Sequence, residues 1–124
     1  MNVKRNGLWR LKKGDRAHLR TKLAAWCHDR GAQQVTEYPK KEDPEVGPDM
    51  ECTFETEAGT LHVSLYEGWM ACRFADSVKA RRLGIDCSSV GKYNAHPALT
   101  PTTTWQEAAG FYVAHLTKAF LLPK

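Results

Sequence analysis

An α+β fold is predicted, with an antiparallel sheet of about four strands and the N- and C-terminal helices on one face. Three observations point to it. Residues 50–75, MECTFETEAGTLHVSLYEGWMACRFA, alternate apolar and polar side chains in three consecutive runs, the period of two of a strand with one buried and one wet face. The runs are separated by Ala58-Gly59 and Glu67-Gly68, each with glycine where a tight hairpin needs positive φ. On either side, apolar residues recur at helical spacing: Leu19, Leu23, Trp26 and Cys27 before the strands, and Trp105, Ala109, Tyr112, Val113, Leu116 and Phe120 after them,.

The elements follow in chain order. Residues 1–14 place Lys4, Arg5, Arg10, Lys12 and Lys13 around Leu8 and Trp9, punctuated by Gly7 and Gly14, and read as a basic arm. Asp15 caps a helix that runs to about Arg30 and stops at Gly31,. His18, Lys22 and Asp29 face water, and Arg16 and Arg20 flank the apolar stripe. Gln33 to Tyr38 is a strand at an edge, because Pro39 follows it,. Residues 39–49, PKKEDPEVGPD, form an exposed loop,.

Two-residue loops at both turns set the register of the three central strands. Leu65 then faces Met70, Val63 faces Cys72 and Leu61 faces Phe74, while Cys52 faces Leu65 and Phe54 faces Val63. Both turns assign the same side of the sheet to the core, which matters because a one-residue slip would invert a whole strand. The other side acquires two cross-strand rows, Glu55–His62–Arg73 and Glu51–Tyr66–Trp69.

Asp76 or Ser77 begins a short helix carrying Lys79, Arg81 and Arg82 and ending at Gly84,. Within residues 85–103, IDCSSVGKYNAH holds a last short strand, and Pro97 and Pro101 make the remainder irregular. The final helix opens with a capping box, Thr104 with Glu107,. Phe111 and Leu122 fall off its buried stripe, exposed positions suited to a contact with a partner or a second copy.

Size and composition bound the function. A chain of 124 residues supports one core,, hence a single domain over residues 1–124. No apolar run approaches the roughly 20 residues of a membrane span, and MNVKRNGLWRLKKGDR has no apolar segment of signal-peptide length,; a cytoplasmic protein with no membrane partner is expected. Cys27, Cys52, Cys72 and Cys87 form no CxxC pair and show no metal-ligand spacing,. Cys52 and Cys72 lie on strands flanking a third, roughly 9 to 10 Å apart, too far for a disulfide, so buried thiols are expected. The net charge of +4 is unevenly spread: residues 1–30 carry nine Lys or Arg against two acids, whereas residues 37–57 carry eight acids against two Lys. A basic end suits nucleic acid or an acidic protein surface, and the two ends also neutralise each other across a fold.

Two constellations on the open sheet face carry possible chemistry. In the Glu55–His62–Arg73 row, Arg73 would hold an anion, His62 would act as acid or base, and Glu55 would orient it; a solvated cross-strand ladder is the structural alternative. Tyr66 and Trp69 would receive bases as the aromatics of RNA-binding sheets do, with Arg73 and the basic arm on phosphates, although Glu51, Glu55 and Glu57 oppose this. No Walker loop, GxGxxG, HExxH or GxSxG is present,. No catalytic residue, cofactor or metal is assigned.

Cys72-Arg73-Phe74-Ala75-Asp76, followed after a short helix by Gly91-Lys92-Tyr93-Asn94-Ala95-His96, resembles a recurrent pattern in small phage and plasmid proteins, an Arg-Phe strand end and then a GKWN-x-H segment near the last helix. It covers about a quarter of the chain, with Tyr93 in place of tryptophan. The resemblance implies a mobile-element origin, where small solitary domains bind host machinery, anti-CRISPR-like inhibitors among them. The expected function is therefore binding to a host protein or ribonucleoprotein, with direct nucleic-acid binding second and a small enzyme using the Glu-His-Arg row third. The candidate contact residues are Arg5, Arg10, Lys12, Lys13, His62, Tyr66, Trp69, Arg73, Arg81, Arg82, Lys92 and His96.

Overall fold

A computed structural model describes residues 1–39 and 46–119. The chain runs β1 (Val3–Arg5), β2 (Leu8–Arg10), α1 (Lys13–Asp29), β3 (Gln33–Glu37), β4 (Met50–Thr56), β5 (Gly59–Tyr66), β6 (Trp69–Phe74), α2 (Ser77–Arg82), β7 (Lys92–Ala95) and α3 (Trp105–Ala119). The fold is α+β, as predicted. Its main sheet has five antiparallel strands in the order β3-β4-β5-β6-β7, a meander in which each strand pairs with the next in sequence, and β1 and β2 form a separate two-stranded sheet. Of the expected loop 39–49, residues 40–45 lie outside the described residues, as do Phe120 and Leu122.

Alternation along the three central strands sends Met50, Cys52, Phe54, Leu61, Val63, Leu65, Met70, Cys72 and Phe74 to one side, all buried. Leu19, Leu23, Ala24 and Cys27 of α1 and Ala108, Ala109, Tyr112 and Leu116 of α3 join them in the core, with Leu11, Ala58, Ala80 and Ala95. Each fully buried Leu or Phe contributes roughly 1.5–3 kcal/mol to holding helices and sheet together. Thr104 and Glu107 make the expected reciprocal cap: the Glu107 amide donates to Thr104 Oγ1 and the Thr104 amide to Glu107 Oε1, both at 3.1 Å. Asp76 caps α2 by accepting from the Lys79 amide at 2.9 Å. Among the described residues no helix is long and apolar enough to cross a membrane.

Four expectations are corrected. Residues 1–14 are not a bare arm: Asn6 and Gly7, at φ 51° and 78°, turn β1 back onto β2, the pairing of positive-φ residues that favours a two-residue hairpin. The first helix begins at Lys13, with Lys12 as an N-cap that supplies no side-chain hydrogen bond, so Asp15 lies in its first turn. Phe111 is half-buried against the core, its ring against Tyr112 and His115.

The fourth correction concerns the β4–β5 register. Gly59, at φ 96°, pairs with Thr56 as the first residue of β5, leaving Glu57 and Ala58 as the loop. Cys52 therefore faces Val63, Phe54 faces Leu61, Thr53 faces His62 and Glu51 faces Ser64. The displacement is two residues, an even number, so the core side of β4 stays as predicted while every cross-strand neighbour changes. The β5–β6 register is as expected, from Tyr66 opposite Trp69 to Leu61 opposite Phe74.

A candidate binding face on the open side of the sheet

The side of the sheet away from α1 and α3 carries a grid of three strands by three rows. On β5 the outward residues are Tyr66, Ser64 and His62; on β6 they are Trp69, Ala71 and Arg73, directly opposite. On β7, Asn94 pairs with Ala71 and Lys92 with Arg73, and His96 follows one residue beyond the strand end. The strand pleat makes this grid, because outward positions recur every second residue, while Tyr93 and Ala95 between them point to the core.

The top row is aromatic. Tyr66 and Trp69 stack with centroids 4.4 Å apart and planes 9° from parallel, and His96 stacks on Trp69 at 5.8 Å and 12°. These separations straddle the spacing of about 4.8 Å between neighbouring strands, so the rings stand in file across the sheet with faces turned to one another. Both faces of Trp69 are engaged by its neighbours, and the row presents edges outward. The bottom row is basic, with the cations Arg73 and Lys92 beside the imidazole of His62. His62, Arg73 and Lys92 are all exposed, and among the described residues no carboxylate pairs with any of them. Arg73 and Lys92 are like charges directly opposite, an arrangement unfavourable in itself. The middle row, Ser64, Ala71 and Asn94, is low, and extends on β4 to Glu51, whose carboxylate accepts from the Tyr38 hydroxyl at 2.8 Å.

The Glu55–His62–Arg73 row does not exist. Glu55 faces Thr60 and accepts from its hydroxyl at 2.7 Å, and the neighbour of His62 on β4 is Thr53. Neither cross-strand neighbour of His62, Thr53 or Arg73, is a carboxylate, so the acid–base arrangement loses its third member. The Glu51–Tyr66–Trp69 row is likewise replaced by Tyr66–Trp69–His96.

The structure divides the remaining candidate residues. Arg5 and Arg10 belong to a network at the β5–β6 turn. Glu67 Oε2 accepts from Arg5 Nη2 at 2.5 Å and from Arg16 Nη1 at 2.6 Å, and Arg10 Nε lies 3.9 Å from Oε1. Arg16 also grips Asp49 in bidentate fashion, Nε to Oδ2 at 2.7 Å and Nη2 to Oδ1 at 2.8 Å. Asp49 is only 4% exposed. Much of the positive charge at the N-terminus thus holds the β1–β2 hairpin onto the sheet end. A side chain at Gly68, which has φ 81°, would collide with the Arg10 guanidinium. Asn2 ties the same end down: its amide nitrogen donates to the carbonyls of Thr100 and Thr103, both at 2.9 Å. Lys12 and Lys13 are exposed beside a groove of about 710 Å³ between hairpin and α1, and Arg81 and Arg82 are exposed on α2.

Sequence reasoning left Asn94, Ser64 and Ala71 out of the site, although Asn94 lies midway between Lys92 and His96 and parity alone places it on their face. It also left out Arg16, Asp49 and Glu67. The thiols of Cys27, Cys52 and Cys72 are free and buried; burial pushes Cys72 up to about 12, with the Tyr93 hydroxyl beside it acting in the opposite sense. Among the described residues no group of three or more His, Cys, Asp or Glu is placed to hold a metal ion. No protein-family model, curated protein or solved structure matches the chain.

Proposed function

We propose that this chain is a small binding protein that works by occupying the surface of a host protein, or of the protein component of a ribonucleoprotein, through the open sheet face. The observation that carries the reading is the self-stacked ring row. Aromatic residues that receive nucleobases must offer an open face, whereas both faces of Trp69 are covered by Tyr66 and His96. Ring edges on a rigid platform instead suit the packed centre of a protein contact, where Tyr and Trp contribute apolar area and a polar rim at low entropic cost. The His62–Arg73–Lys92 row, without a carboxylate among the described residues, supplies complementarity to an acidic surface,. The motif shared in resemblance with phage and plasmid proteins contributes Arg73, Lys92, Asn94 and His96 to this one face, in keeping with a mobile-element inhibitor of anti-CRISPR type acting in the cytoplasm.

The test is capture from bacterial lysate by the tagged chain, with and without nuclease, beside a variant carrying Trp69→Ala and Arg73→Glu. Both substitutions sit outside the buried core, and circular dichroism checks that the fold survives. A protein retained after digestion by the natural chain and lost from the variant supports the reading. Recovery of nucleic acid alone, or of a protein indifferent to the variant, overturns it.

A further inference from the structure

Resting on that reading, we infer that the open face takes an extended acidic segment of the partner, laid across the strands, with acids at alternating positions. The grid dictates this shape. The ring row and the cation row are four residues apart along each strand, about 13 Å between their Cα positions, and the low row runs midway between them, about 6.7 Å from either. Ser64, Ala71 and Asn94 therefore floor a trough with ring edges as one wall and His62, Arg73 and Lys92 as the other.

An extended chain in such a trough sends successive side chains to opposite sides. One set meets the rings and the other meets the cations. Its i to i+2 spacing, about 6.7 Å, lets two acids fall along the His62–Arg73–Lys92 row, which spans three strands or about 9.6 Å, one meeting the two cations and the other the imidazole N–H of His62. The carboxamide of Asn94, on the floor, suits the passing backbone, since it both donates and accepts. A helix of about 10–12 Å diameter would rest on the wall tops and leave Ser64 and Ala71 uncovered. The trough is closed to acids at the β4 end by Glu51, already bonded to Tyr38, so the acids lie over β5, β6 and β7. Arg73 and Lys92, opposite and without a carboxylate among the described residues, are relieved of their mutual repulsion when the segment is seated.

The experiment measures fluorescence anisotropy with dye-labelled peptides of one composition in two orders, Gly-Asp-Leu-Asp-Leu-Gly and Gly-Asp-Asp-Leu-Leu-Gly, and with labelled oligo-dT. The natural chain should bind the alternating peptide about fivefold to tenfold more tightly than the blocked one. Arg73→Glu should abolish that preference, and Trp69→Ala should weaken the alternating peptide more than the blocked. Equal binding of the two peptides, binding of neither, or tighter binding of oligo-dT than of either overturns the inference. These outcomes leave the lysate capture untouched, so a host protein held through a folded surface would still be found there.

Discussion

Replacing Arg16 by methionine isolates the buried charge at the sheet end. Arg16 has a side chain 15% exposed, and its bonds include two to Asp49 and one to Glu67. Glu67 keeps Arg5 and Arg10 when Arg16 is gone, so the penalty falls on Asp49, a carboxylate almost wholly removed from water. Removing one partner of a buried pair costs about 3–5 kcal/mol, chiefly because the other charge stays buried. With a urea slope of about 1.5 kcal/mol/M, the unfolding midpoint should fall by about 2–3 M. Asp49→Asn should cost less, because Arg16 retains Glu67, and adding it to Arg16→Met should recover much of the loss by removing the buried charge. Urea unfolding of the four proteins at pH 7, followed by circular dichroism, gives all the comparisons. A loss below about 1 kcal/mol for Arg16→Met, the range of an exposed pair, or a double variant no better than the single, would refute the reasoning.

Two further outcomes follow from backbone and thiol. Gly91 sits at φ 79°, and a Cβ there would strike the Phe74 carbonyl oxygen beside the bond from the Phe74 amide to the Gly91 carbonyl at 2.9 Å; Gly91→Ala should cost at least about 2 kcal/mol, lowering Tm by about 8 °C in a thermal melt. Burial raises the Cys72 pKa from 9.0 to about 12, so the folded state keeps a proton the unfolded chain releases. Its contribution is complete below pH 9 and is lost as pH rises from there to about 12, roughly 4 kcal/mol in all; Cys27, Tyr93 and Tyr112 are pushed up as well, so Cys72→Ala should lessen, without abolishing, the fall of urea midpoints across that range, and an unchanged alkaline slope would count against it.

How far the molecule was legible depended on the range of the interactions. The meander was readable because Phe54, Val63 and Cys72 alternate with polar neighbours, a local signal. Its first register was displaced because Gly59 serves as the opening residue of β5 and not as the end of a two-residue loop, whereas Gly68 does end such a loop between Tyr66 and Trp69. Asn6-Gly7 is the stronger hairpin signal, yet its flanks, Lys4-Arg5 and Leu8-Trp9-Arg10, lack the alternating apolar residues that draw attention to strands. The network of Arg16, Asp49 and Glu67 joins residues 33 and 51 positions apart, and no spacing rule reaches so far. The ring file was half visible: Tyr66 opposite Trp69 followed from the second turn, but His96 joined it only once β7 was in register.

Because the pleat sends neighbouring residues to opposite sides, the core and the open face share strands without sharing side chains. Leu61, Val63 and Leu65 are interleaved with His62, Ser64 and Tyr66; Met70, Cys72 and Phe74 with Trp69, Ala71 and Arg73. The outward positions can therefore change while the buried set stays as it is, and at the exposed ones, His62 and Arg73 among them, substitutions cost little stability,. Such a scaffold can exchange one partner for another by single steps, each intermediate still folded. A contest between a chain and the surface it recognises would then be written in the outward residues, and scarcely at all in the inward ones.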